Sequence, residues 1–160
     1  MVSAEVPKKY LDRCNELKNL LKLIWSQPIF TFDELVPSKL ETVGAVYIIG
    51  NKNTDEILYV GRTKDLRRRM YTNHLMGNES TARLKKYLTK DVLLKNFAAK
   101  SNITFPNVNY QKSAAYQLAK NFIKENCYFR FLDVDESRMR GLYEAGLTYV
   151  LDTRFVEEEH

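Results

Sequence analysis

Residues 44–74 read GAVYIIGNKNTDEILYVGRTKDLRRRMYTNH, and this stretch decides the fold. Val46–Ile49 and Ile57–Val60 are β-branched and apolar, which suits strands. Between them Gly50–Asp55 is rich in Asn and Asp, residues that tolerate turn geometry and bond their own backbone. The unit therefore reads as a β-hairpin with a longer loop. Gly61 is expected to end the second strand where the backbone bends. Thr63 or Asp65 can cap the helix that follows. Leu66 and Met70, four apart, give that helix an apolar face. Arg62, Lys64, Arg67, Arg68 and Arg69 surround it with positive charge. A strand-end tyrosine and a first-turn arginine come within hydrogen-bond reach in such a unit.

Working outward, Tyr10, Cys14, Leu17, Leu21 and Ile24 recur at helical spacing and predict an amphipathic helix over about Pro7 to Ser26. Pro7 suits its start and Pro28 stops it. Residues 27–42 read as a connector anchored by Phe30, Phe32 and Leu35. Beyond the hairpin, Ser80 or Thr81 can cap a helix carrying Leu84, Tyr87 and Leu88, with Arg83, Lys85 and Lys86 on its other faces. A second run holds Val92, Leu93, Leu94 and Phe97. Ser101–Tyr110 reads as a loop, and Ser113 can cap a third helix ending near Asn126. The segment CYFRFLDVDESRMRGLYEAGLTYVL, residues 127–151, reads as a strand and then a helix. Asp135 can cap that helix, and Met139, Leu142, Tyr143 and Val150 supply an inward face. Glu144 shares a face with Leu147 and Leu151, and a carboxylate beside apolar residues needs a partner. Arg140, four residues earlier, is the ordinary choice.

These spacings together resemble the GIY-YIG endonuclease family. Ala45–Val46–Tyr47 takes the place of the first tripeptide, with alanine for glycine, and Tyr59–Val60–Gly61 takes the place of the second. The family's catalytic arginine lies eight residues after that glycine, behind a leucine five after it; Arg69 and Leu66 fall on both positions. His74 follows the arginine by five residues rather than four, which on an α-helix turns it about a quarter turn away. Glu144 takes the place of the family's later glutamate, while Asp152–Thr153–Arg154–Phe155 lacks the closing asparagine.

The resemblance implies an α+β fold, a small central antiparallel or mixed three-stranded sheet flanked by helices, with strands near 45–50, 57–61 and 127–134. It divides the chain into an N-terminal helical extension, 1–42, and a nuclease unit, 43–155, with a helical insert at about 78–126. It implies a metal-dependent DNA endonuclease. Its catalytic residues are Tyr47, Tyr59, Arg69, His74 and Glu144, with Glu144 holding Mg²⁺ or Mn²⁺ and Gly61 as structural motif. Mg²⁺ keeps several waters and needs only one or two carboxylates. Arg69 suits planar, paired contact with a phosphate and stabilises charge in the transition state. Tyr47 is the family's candidate base, and its hydroxyl becomes acidic if cations adjoin it. His74 is the rival, with an ordinary pKa near 6.5. Tyr59 positions water or phosphate. A binding module of the same fold, catalytically weak or inactive, is the alternative.

Composition agrees with one compact unit. The chain has 160 residues, 44% of them hydrophobic, enough for one core. No apolar run is long enough to span a bilayer, and the charged N-terminus lacks a secretion signal's apolar core. Cys14 and Cys127 form no metal-ligand motif and fit a reduced, cytoplasmic setting. Residues 61–100 hold eleven Lys and Arg against three Asp and Glu, net +8 in a chain whose total is +5. That uneven charge is the footprint of a nucleic-acid partner. The expected nucleic-acid contacts are Arg62, Lys64, Arg67, Arg68, Arg83, Lys85 and Lys86. A homodimer is expected if both DNA strands are cut, and no membrane partner is.

Overall fold

The computed structural model describes residues 5–78 and 80–156. Four strands form one antiparallel sheet in the order β1-β4-β2-β3: β1 Phe30–Thr31, β2 Ala45–Asn51, β3 Ile57–Thr63 and β4 Cys127–Asp133. Among the described residues five α-helices accompany it: α1 Lys8–Trp25, α2 Arg83–Leu88, α3 Val92–Lys100, α4 Lys112–Asn126 and α5 Ser137–Val150. A π-helix, Arg68–Leu75, follows β3. The sheet thus has four strands where three were expected. The added β1 pairs Phe30 with Phe129 and Thr31 with Tyr128. Two residues are too few to leave a period-2 signature, so the segment reads as a connector; Phe30 still anchors it by stacking on Phe129 at 5.3 Å.

β2 is buried along its whole length, as expected of a central strand with both faces covered. Ala45, Tyr47 and Ile49 face one core with Leu66, Met70 and the helices α2 to α4. Val46 and Ile48 face a second with Leu20, Ile24 and Leu147. Only the C-terminal half of α1 packs, through Leu17, Leu20, Leu21 and Ile24, while Tyr10 and Cys14 lie exposed. The apolar stripe read from Tyr10 onward is therefore shorter than its periodicity suggested. The turn after β2 uses Asp55 at φ 55°, a left-handed position that Asp tolerates.

Several caps differ from expectation. Asp65 caps the π-helix entry, accepting from Arg68 N at 2.9 Å, and Thr63 accepts from Asp65 N. Neither Ser80 nor Thr81 caps α2; Ser80 instead turns back onto Asn78, and α2 begins after Ala82. α4 starts at Lys112, so Ser113 lies inside it, and α5 starts after Glu136 with no side-chain cap from Asp135. On α5 only Leu147 is fully buried; Leu142 and Val150 point to solvent, so the inward face is narrower than the one expected. The C-terminal segment lies along β3, with Arg154 N and Phe155 N donating to Ile57 O and Leu58 O. Phe155 stacks on Tyr87 at 5.6 Å, and Arg154 pairs with Glu56 and Asp91. Among the described residues no helix is long and apolar enough to cross a membrane.

Candidate active site

Tyr47 sits in the middle of β2, opposite Gly61 on β3. Its ring lies across that glycine: a Cβ there would stand 2.5 Å from Tyr47 Cζ and 2.7 Å from Tyr59 Cε1, and closer still to Tyr47 Oη. Strand β3 continues two residues past Gly61, and none of the described glycines has a positive φ. Gly61 is thus required by close approach, not by the expected bend. Tyr59, two residues earlier, faces the same side, its ring 6.2 Å from that of Tyr47.

The π-helix supplies the next two groups. Arg69 Nε donates to Tyr47 Oη at 2.8 Å. His74 Nε2 stands 2.9 Å from the same oxygen, in a buried contact. An α-helix would have turned His74 away from Arg69, but π geometry closes a turn with i→i+5 bonds, so a residue five on stacks over the first. The extra residue in the Arg69–His74 spacing is absorbed by the wider helix. The expected quarter-turn displacement of His74 does not occur.

Burial sets the electrostatics. Tyr47 is wholly buried; desolvation, then the neighbouring Tyr59, push its pKa up, and the Arg69 charge opposes this without prevailing. Among the protein's own groups, burial thus outweighs the Arg69 charge that was expected to make the Tyr47 hydroxyl acidic. Tyr59 is shifted up as well, by burial. His74 is pushed well below 6.5, first by burial and then by the charges of Arg69 and Lys85, so it is neutral at pH 7. Burial works against the Arg69 charge, but Tyr47 and Tyr59 favour it, and its net shift is upward. Tyr47 Oη thus accepts from Arg69 and stands in hydrogen-bond contact with neutral His74 Nε2, whose role as donor or acceptor follows the imidazole tautomer. The other ring nitrogen, His74 Nδ1, is buried with no protein partner among the described residues.

Glu144, on α5, lies across a polar cleft of about 500 Å³ lined by Tyr59, Arg62, Arg69, Asn73, Ser80, Thr81, Arg83 and Glu144. Arg62 Nε pairs with Glu144 Oε2 at 3.1 Å. Arg140, the partner expected from helical spacing, instead donates to the carbonyls of Val134 and Asp135. Asn73 on the π-helix, and Ser80 and Thr81 in the loop after it, were not anticipated as cleft residues, since no periodicity singles them out.

The expected nucleic-acid contacts separate into four groups. Arg62 and Arg83 line the cleft, and Lys64, Arg68 and Lys86 are exposed. Arg67 is half-buried, its Nε donating to Leu40 O at 2.8 Å. Lys85 is corrected: it is 3% exposed, and its ammonium donates to Leu75 O and Gly77 O, tying down the end of the π-helix. Burial, then Lys120 nearby, lower its pKa to about 8. A lysine committed to two carbonyls is no surface phosphate contact.

The family description "GIY-YIG catalytic domain" matches residues 43–126, more than half of the chain, and the chain belongs to this nuclease family. The match spans Tyr47, Tyr59, Arg69 and His74, whereas β4 and the Glu144-bearing α5 lie beyond it. No curated protein and no solved structure matches the chain.

Proposed function

We propose that this protein is a divalent-metal-dependent DNA endonuclease whose unit of function is residues 43–155, with 1–42 as an accessory extension. The observation that carries the reading is the chain Arg69 Nε–Tyr47 Oη–His74 Nε2, at 2.8 and 2.9 Å, behind a cleft faced by Tyr59 and Glu144. The donor set fits a hard cation rather than a thiophilic one. Among the described residues no three His, Cys, Asp or Glu cluster, but one carboxylate beside a polar cleft suits Mg²⁺ or Mn²⁺ that keeps most of its water. Glu144 is the residue that would hold it. When bound, such an ion neutralises phosphate charge and stabilises the leaving oxygen.

The remaining steps belong to the protein. Arg69, its Nε held by Tyr47, presents its planar group to the phosphate and stabilises the charge that develops there. Tyr59 orients the attacking water from the cleft wall. The proton passes inward to Tyr47 Oη as Tyr47 gives its own to neutral His74 Nε2. This relay needs no free phenolate, which burial would oppose. Exposed Lys64, Arg68 and Lys86, with Arg83 at the cleft, draw in the DNA backbone. One site per chain nicks one strand, so a double-strand break takes two copies.

The Arg62–Glu144 pair favours a second reading, a binding module whose carboxylate is already neutralised. Supercoiled plasmid incubated with the protein in Mg²⁺, in Mn²⁺ and in chelator separates the two. Metal-dependent nicked or linear product is expected. Retarded but uncut plasmid in all three would leave only the binding module.

A further inference from the structure

Arg62 lies over α5 beside Glu144. Its Nε pairs with Glu144 Oε2 at 3.1 Å, with 53% of the Arg62 side chain and 29% of the Glu144 side chain exposed. One turn before Glu144 on α5 stands Gly141, where a Cβ would overlap Arg62 Nη1 and lie 3.5 Å from Arg62 Cζ. Glycine inside a helix costs about 1 kcal/mol relative to alanine, so its place here calls for a packing reason. The guanidinium supplies one. Both partners also line the same cleft as Arg69 and Arg83.

We propose that Arg62 is a charge-balancing residue with two seats, on Glu144 in the resting site and on the substrate phosphate once a divalent cation takes Glu144. The proposal rests on the reading of Glu144 as the metal carboxylate. A guanidinium and a hydrated divalent ion compete for the same carboxylate oxygens, and the doubly charged ion has the stronger Coulomb attraction. The displaced guanidinium stays in the cleft, where phosphate offers it the same planar, two-oxygen recognition as carboxylate. Metal and nucleic acid then help each other bind, because each frees what the other needs.

Mn²⁺ binding followed by electron paramagnetic resonance, without nucleic acid, tests this directly. Gly141→Ala opens the seat while leaving every charge in place, and Arg62→Gln removes the competitor. Both are expected to tighten Mn²⁺ binding by about two- to fivefold, the worth of a partly exposed ion pair. Arg138→Gln, an exposed cation elsewhere on α5, controls for bulk charge and should leave it unchanged. Glu144→Gln should lose the site. In chelator, Glu144→Gln should bind duplex more tightly than wild type by fluorescence anisotropy, and Arg62→Gln added to it should erase the gain. If Glu144→Gln binds Mn²⁺ like wild type, the underlying assignment of Glu144 fails. If only that variant loses Mn²⁺ while Gly141→Ala and Arg62→Gln are unchanged, the Arg62 proposal fails alone. Equal tightening by Arg138→Gln also overturns it.

Discussion

Tyr47→Phe removes a single oxygen and leaves the ring in its packed place. That oxygen joins Arg69 Nε at 2.8 Å and His74 Nε2 at 2.9 Å. Without it, His74 has no hydrogen-bond partner on either ring nitrogen among the described residues, since Nδ1 already lacks one there. Leaving a buried polar group unsatisfied costs about 1–3 kcal/mol, which for a chain of this size lowers the melting temperature by about 2–12 °C. The catalytic loss is larger. A positioned proton acceptor contributes about 10²–10⁴ in rate, or about 2.7–5.5 kcal/mol of barrier. His74→Ala should lose about tenfold less, because water can enter the vacated space and receive the Tyr47 proton. The double variant should be no slower than Tyr47→Phe alone, since the two groups act as one relay. Circular-dichroism melts and single-turnover cleavage at saturating metal measure both parts. A Tyr47→Phe enzyme within threefold of wild type, or losses that multiply in the double variant, would refute the relay.

His74 also predicts a pH dependence. Its folded pKa lies below the unfolded value of about 6.5, so under acid conditions the unfolded chain binds a proton that the native one refuses. Stability should fall as pH drops below about 6.5 towards the depressed native value, and His74→Gln should flatten that slope in urea melts compared between pH 5 and pH 7.5. Gly61→Ala should cost about 1–3 kcal/mol by overpacking against the two tyrosine rings, seen as a lower melting temperature, and should slow cleavage more than any exposed Gly→Ala change. Arg83→Gln with Lys86→Gln should weaken duplex binding and reduce its salt slope by roughly two charges. Lys85→Met should instead lower thermal stability and leave the slope unchanged, because its ammonium holds carbonyls.

Much of this site is legible in local sequence pattern. The apolar runs mark out β2 and β3, and the residue spacings draw attention to Tyr47, Tyr59, Arg69, His74 and Glu144, all of which share contacts or a cleft wall. Other features lay beyond local pattern. A two-residue strand carries no period, so β1 emerged only from its pairing with β4. The π-helix is invisible to a 3.6-residue template, and it is what brings His74 back over Arg69. Lys85 looks like any surface lysine in sequence, yet the fold buries it against the π-helix terminus. The Arg62–Glu144 pair joins β3 to α5 across 82 positions of chain, far outside the reach of helical spacing. Gly61 was noticed for the wrong reason, because the ring that needs its missing side chain comes from the neighbouring strand.

The central claim is that Glu144 and the Arg69–Tyr47–His74 chain form one metal-assisted site for phosphodiester hydrolysis. Single-turnover cleavage of a labelled duplex by Glu144→Gln, in Mg²⁺ and with binding measured alongside, tests it most directly. The account predicts a loss of at least about 10³ in rate, the scale of removing a principal electrostatic stabiliser, with duplex affinity within a few-fold of wild type. Cleavage at the wild-type rate, or an equal collapse of binding and cutting, would contradict it.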